Sequence, residues 1–257
     1  MAIQRFTDSE LTAINARLAA LHPRDIIRWG FDTFGPPRAA GGAAGATQGG
    51  LIMTSSFGAD SMCSIHLATQ VFPEIPIVVI NTGYLFAETL DFLGQMRERF
   101  HLNIREFHTR NDPLTWLSIN GEPDPAHRNN VDACCAANKN EVMDRAMRTL
   151  APDAWVRGVR ADQSQARAQM QIVQWSARNQ CYAVSPILRW SSRDVFYYMK
   201  EHDLPHNPLW EKGYLSIGCN PLTCTRPIGA GDDARAGRWS GTDKKECGIH
   251  LDAGANI

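Results

Sequence analysis

Leu51-Ile-Met-Thr-Ser-Ser-Phe-Gly-Ala-Asp60 is the stretch whose reading decides the fold. A short run of strand character ends in hydroxyls and a glycine, and from Ser61 to Val71 the apolar residues fall at helical spacing. The pattern then repeats. Ile77-Val-Val-Ile80 is followed by the loop Asn81-Thr82-Gly83-Tyr84 and a helical stretch from Leu85 to Phe100. Further strands are expected at Leu102 to Phe107, Ala154 to Val159 and Cys181 to Val184, with helices around Asn138 to Thr149 and Ser192 to His202. This alternation predicts an α/β fold, a parallel twisted sheet with helices on both faces, whose ligands sit at the carboxyl ends of the strands.

Before this core, Leu11, Ile14, Leu18 and Leu21 mark an amphipathic helix from Ser9 to His22, and Arg24 to Phe34 reads as a second. The low-complexity run Gly35 to Gly50 is expected to form a mobile surface loop. Beyond Pro205 periodicity fades, so residues 206–257 are expected to be irregular and to end in a mobile tail. The chain thus divides into a helical N-terminal segment with its loop (1–50), an α/β domain (51–228) and a tail (229–257).

With 257 residues, 44% of them hydrophobic, the chain can bury a large core, and a net charge of −1 gives it no field for nucleic acid or an anionic membrane. No apolar run has signal-peptide character or reaches the ~20 residues of a membrane span, so a cytoplasmic protein is expected. The oligomeric state, including a homo-oligomer, stays open.

Chemistry is expected in the loops after the strands. Ser55, Ser56, Phe57 and Gly58 precede fresh helix N–H groups and form a candidate anion site, with an ordinary helix cap as the plain alternative. Thr82 and Gly83 frame a second loop on the neighbouring strand. Arg160 and Arg167 follow a later strand, and Arg226, Arg235 and Arg238 lie in a Gly-rich stretch; arginine forks fit sulfate or phosphate oxygens. A small polyanion accounts for them better than nucleic acid does.

Seven cysteines complete the inventory: Cys134 and Cys135 are adjacent, Cys219 and Cys224 form a second pair, and Cys247 stands alone near the end. Neighbouring cysteines are poor disulfide partners, so the first four are candidate metal or cluster ligands. Cys247 reads as a working thiolate, with Lys244, Lys245 and His250 expected to favour the charged form and Glu246 to oppose it. Lys139, one helical turn after Cys135, is expected to face the same site. Cys63 and Cys181 read as buried small apolar residues.

Ser55-Ser-Phe-Gly58, Arg160-Ala-Asp-Gln-Ser164, Asn207-Pro-Leu209, Gly213-Tyr214, Ser216-Ile-Gly-Cys219 and Glu246-Cys-Gly-Ile-His-Leu251, in this order, resemble the assimilatory sulfonucleotide reductases. The resemblance implies an adenine-nucleotide hydrolase-like fold and reduction of adenylyl sulfate (APS) to sulfite and AMP, in sulfate assimilation and cysteine biosynthesis. It implies that Cys247 attacks the sulfate sulfur and that thioredoxin, or glutaredoxin with glutathione, then releases sulfite from the enzyme thiosulfonate. It further implies a 4Fe-4S cluster on Cys134, Cys135, Cys219 and Cys224, the form of the family that prefers APS; the form lacking these cysteines uses the 3′-phosphorylated substrate (PAPS). Two departures stand out: Cys219 and Cys224 are C-x4-C where the family has C-x-x-C, so two extra residues must bulge, and Asn81 replaces a usual Asp. The alternatives are PAPS reduction, an ATP pyrophosphatase suggested by the spare cysteines and by Ser55 to Ser61, whose Asp60-Ser61 is closer to the loop of ATP-cleaving relatives, and a zinc module on the four cysteines.

Overall fold

The structure is a computed structural model describing residues 5–39, 47–123, 128–220, 224–229, 235–242, 244 and 246–250. The helices are α1 (Asp8–Leu18), α2 (Pro23–Phe34), α3 (Ala59–Thr69), α4 (Ala87–Arg99), α5 (Pro113–Asn120), α6 (Arg128–Cys135), α7 (Glu141–Leu150), α8 (Gln165–Ala168) and α9 (Ser192–Glu201). The strands are β1 (Arg38–Ala39), β2 (Thr47–Gln48), β3 (Leu51–Thr54), β4 (Ile77–Asn81), β5 (Ile104–His108), β6 (Ala154–Arg157), β7 (Val173–Ser176) and β8 (Cys181–Val184).

Local chemistry sets many of the ends. Thr7 and Glu10 close a capping box on α1, and Ser191 and Asp194 close another on α9. Pro23 opens α2, where a missing N–H costs nothing.

Six strands make the main sheet in the order β5-β4-β3-β6-β8-β7. All neighbours are parallel except β7, which runs antiparallel to β8 at the edge. Strand periodicity splits the core in two. Leu51, Met53, Ile77, Val79, Ala154, Val156, Tyr182 and Val184 point to one cluster, covered by α1, α2, α3, α4 and α9. Their alternates Ile52, Val78, Trp155, Cys181 and Ala183 point to the other, covered by Val131 of α6, Met143, Ala146 and Met147 of α7, and by Trp239, Cys247 and Ile249.

The expected strands and main helices are present, with β7, α5, α6 and α8 in addition. The expected helix from Asn138 splits in two: Ala136–Asn140 is a π-helical turn joining α6 to α7. The Gly35–Gly50 run is more structured at its ends than a loop, since β1 and β2 pair there and Arg38 meets Asp153 at 2.6 Å; residues 40–46 lie outside the described residues. The described part of the tail is irregular as expected, but it is docked against the sheet. No helix among the described residues is long and apolar enough to cross a membrane.

Candidate active site

β3 ends in Thr54 and the chain turns sharply before α3. Phe57 takes a left-handed backbone (φ 55°), unusual for a residue with a β-carbon, and its ring is buried against Phe92. Ser55 Oγ accepts from Phe57 N at 3.0 Å, which holds the turn. Gly58 is the N-cap of α3 and offers no side-chain cap, so no side chain caps the first N–H groups of the helix. The turn therefore leaves the start of α3 without a side-chain cap, the geometry that the expected anion site calls for.

This loop floors a cavity of about 180 Å³ at the carboxyl ends of β3, β4 and β6. Ser55, Ser56, Phe57, Gly58 and Thr82 line it, and so do Lys139, Arg160, Arg167, Arg235, Arg238 and Cys247. Of the arginines, Arg226 is exposed and lies outside the cavity lining, because the backbone pairing of Thr225 with Arg238 turns the two side chains to different places. Gly83 does not line it either. Its left-handed backbone (φ 77°) packs against Pro113 and Thr109 and shapes the turn, while Asn81 Oδ1 accepts from Gly83 N at 3.0 Å. Asn81 thus serves the turn with its amide oxygen.

The five cations do not share one role. Arg160 is 4% exposed and closely held: it donates to Asp60 at 2.6 Å, to Asp162 at 2.6 Å and to Ser192 at 3.1 Å. It is a buried brace between the β6 loop and α3 that also lines the cavity, with the charge that was expected to bind an anion offset by two carboxylates. Asp60, read in the sequence as a mark of ATP-cleaving loops, instead holds Arg160 and accepts from Gln163 at 2.8 Å. Arg167 donates to both oxygens of Glu246, at 2.7 and 3.0 Å, and Arg235 lies 3.5 Å from the same carboxylate. Burial opposes the charge of Glu246, yet Arg167, Arg235 and Ser164 hold its carboxyl below the ordinary range.

Arg238 and Lys139 have no carboxylate partner among the described residues. Arg238 donates to the Cys224 carbonyl at 3.1 Å and lies 4.5 Å from the Trp239 ring, close against Gly218, where a β-carbon would collide with the guanidinium. Burial pulls the Lys139 ammonium down, but Cys247, Cys219 and Cys135 outweigh it and hold its pKa above the usual lysine value. These two cations leave the cavity with positive charge for an anion.

Cys247 is 7% exposed and faces this cavity. Burial pushes its thiol up, but Lys139, the N–H of Ile249 and Arg238 bring it down to about 7 against the opposition of Glu246. The cations that favour the thiolate are therefore not the ones the sequence placed beside it. Lys244 is taken by Asp132 and lies over Trp239, 5.6 Å from the ring centroid. Burial, with Arg167, Arg157, Lys139 and Arg235 adding to it, holds His250 well below the ordinary histidine range, so its neutral form is favoured. Lys245 lies outside the described residues. Only the opposing effect of Glu246 stands as expected.

Cys134, Cys135, Cys219 and Cys224 come together around a second, smaller cavity with Tyr84, Asn138 and Trp239. Thr82, Lys139, Cys219, Arg238 and Trp239 line both cavities and form their common wall. The π turn carries Lys139 onto this wall, a detail that no apolar periodicity marks. The four cysteines form no disulfide among the described residues, and burial pushes the thiols of Cys134 and Cys135 up to about 11 and about 12. Among the described residues no group of three or more His, Cys, Asp and Glu is arranged to hold a metal ion. The four sulfur donors instead surround a space, a donor set that fits a polynuclear iron–sulfur group. Residues 221–223, where the C-x4-C pair was expected to bulge, lie outside the described residues. Cys63 and Cys181 are fully buried, away from both cavities.

Comparison with known proteins agrees with this geometry. The phosphoadenosine phosphosulfate reductase domain family matches residues 50–227. A phosphoadenosine 5′-phosphosulfate reductase of Synechococcus sp. is 37% identical, over 94% of this chain and 97% of the relative. An adenosine 5′-phosphosulfate reductase of Chelativorans sp. is 38% identical, over 79% of this chain and 80% of the relative. Among solved structures, phosphoadenylyl-sulfate reductase of Candida auris, in a phosphate complex, superposes with a TM-score of 0.69 at 21% identity, covering 84% of this chain and 97% of that one. FMN adenylyltransferase of Candida glabrata shares the fold with a TM-score of 0.58 at 17% identity, covering 88% of this chain and 67% of that one. The architecture is the adenine-nucleotide hydrolase-like fold.

Proposed function

The chain belongs to the phosphoadenosine phosphosulfate reductase family, oxidoreductases that act on sulfonucleotides, and from that premise we propose that it reduces adenylyl sulfate to sulfite and AMP. The observation that carries the reading is Cys247, a thiol held near pKa 7 inside a cation-lined cavity at the strand ends. The α3 N–H groups with Ser55 and Ser56 take the nucleotide phosphate, and Lys139, Arg235 and Arg238 take the sulfate. The Cys247 thiolate attacks the sulfate sulfur; a sulfur–sulfur bond forms, the bond from sulfur to the bridging oxygen breaks, and AMP leaves with that oxygen. A protein dithiol of the thioredoxin or glutaredoxin kind then attacks Cys247 Sγ and expels sulfite. Its second thiol resolves the mixed disulfide, so the dithiol supplies both electrons and returns Cys247 to the thiol.

Adenylyl sulfate is preferred in this reading because the cavity lined by the four cysteines adjoins the nucleotide cavity, with Cys219 on the common wall. Cys134, Cys135, Cys219 and Cys224 would hold a 4Fe-4S cluster, which when bound would supply a polarisable charge on that wall. A second reading is reduction of the 3′-phosphorylated substrate, favoured by the names of the Synechococcus and Candida auris relatives. Anaerobic sulfite release with thioredoxin, comparing APS with PAPS while recording the visible spectrum, separates the two. Brown protein preferring APS is the expected result. Colourless protein preferring PAPS would move the assignment to the second reading, and ATP consumption with no sulfite from either substrate would replace both with a pyrophosphatase.

A further inference from the structure

Three arginines from three places in the fold close on the tail around Cys247. Arg167 of α8 grips the Glu246 carboxylate, Arg157 of β6 donates to the His250 carbonyl at 3.0 Å, and Arg178 donates to the Gly248 carbonyl at 2.9 Å. Arg178 sits in the turn between β7 and β8, the edge hairpin. Its guanidinium is aimed from a second element: Nε and Nη2 donate to Asp144 Oδ1 and Oδ2 of α7 at 2.8 and 3.0 Å, which directs Nη1 at the tail. The accepting residue is one that only glycine fits easily, since Gly248 has φ +87°.

The three grips differ in what else they do. Arg167 lines the nucleotide cavity, and Arg157 is 1% exposed and bound to Ser185, so removing either disturbs the cavity or the core. Arg178 is outside the lining of both cavities and its side chain is 20% exposed. It fastens the residue after Cys247 to the β7–β8 hairpin and to Asp144 of α7, and neither Arg178 nor Asp144 lines either cavity.

We propose that Arg178, aimed by Asp144, is a positioning residue that latches the docked tail and so divides Cys247 between the nucleotide cavity and the protein dithiol that regenerates it. The inference rests on the reductase reading for the two destinations of Cys247. A thiol 7% exposed cannot be approached by a folded protein, so the tail must undock in each turnover, and every bond that exists only while the tail is docked weights that equilibrium. A charge-assisted hydrogen bond to a carbonyl is strong enough to matter.

The test uses the full chain without nucleotide and measures iodoacetamide alkylation of each cysteine by peptide mass mapping at roughly pH 9, where ordinary thiols are largely ionised. Arg178→Ala should alkylate Cys247 about tenfold faster than wild type, the factor expected for one such bond, with Arg178→Lys and Asp144→Asn between them. Cys63 and Cys181, fully buried in the sheet cores, should keep their slow rates. An unchanged rate at Cys247, or equal acceleration at Cys63 and Cys181, would overturn the latch. Single-turnover formation of the Cys247 thiosulfonate should slow in Arg178→Ala and recover partly in Arg178→Lys. If wild type forms no thiosulfonate from APS or PAPS, the reductase reading fails, while the alkylation comparison still reports on the latch.

Discussion

The two faces of the sheet are built from alternate residues of the same strands, and they do different work. On one face Leu51, Met53, Ile77 and Val79 meet five helices and form a dry apolar core. On the other, Ile52, Val78 and Trp155 meet α6, α7 and an irregular tail, and the cover carries Cys134, Cys224 and Cys247. The first face is closed by regular helices whose apolar stripes match it. The second is closed by a segment without a regular stripe, anchored by Ile249 and Trp239 and by ion pairs. Cys247 is placed on this irregular cover, whose hold combines a few apolar anchors with ion pairs.

The sharpest test of the division is Cys247→Ser, which should reduce sulfite release to background while leaving nucleotide binding by equilibrium dialysis and the melting temperature close to wild type. Retained turnover would remove Cys247 as nucleophile and with it the contrast between the faces. Met53→Ala, on the dry face, should do the reverse: ~2–5 kcal/mol less stable in denaturant unfolding, with kcat nearly unchanged while folded. Arg238→Ala should weaken nucleotide binding roughly tenfold or more, because its guanidinium faces the ligand space without a carboxylate partner among the described residues.

Lys139→Met sharpens the comparison by pH. In wild type the thiolate absorbance lost on Cys247→Ser should titrate with a midpoint of about 7, and Lys139→Met should move it upward, since the removed cation favours the charged form. A thiol whose pKa is lowered on docking stabilises the docked tail fully above the ordinary thiol range, and that contribution is lost as pH falls through about 7. An unmoved midpoint would assign the shift to the Ile249 N–H. Gly218→Ala should have the smallest effect, a few-fold loss of nucleotide affinity at nearly wild-type stability, because its β-carbon displaces only the flexible end of Arg238.

Much of the first face was legible in the sequence. Short apolar runs at Leu51–Thr54, Ile77–Ile80 and Cys181–Val184 are strands because each is buried on both sides, which leaves a signal independent of distant residues. The loops after them were also legible, since Ser55–Gly58 and Thr82 lie next to the strands that position them. β7 was missed because Gln174 and Ser176 interrupt its apolar pattern, and its pairing with β8 is decided by the hairpin. On the second face the cysteines could be counted, but that they line one cavity is seen only in the structure, because their pairs lie far apart in the chain.

Sequence alone determined the α/β order of elements, the loop of hydroxyls and glycine at Ser55–Gly58 and the thiol at Cys247, because each is written in a contiguous stretch whose chemistry is local. Only the tertiary structure decided which cation serves which anion. Lys139 reaches Cys247 from a π turn more than a hundred residues away in the chain, while the adjacent Lys244 is drawn off to Asp132. Arg160 is neutralised by Asp60 and Arg178 is aimed by Asp144. Electrostatic partnership falls off with distance in space and ignores distance along the chain, so it exists only once the sheet has brought its two faces and their covers into place.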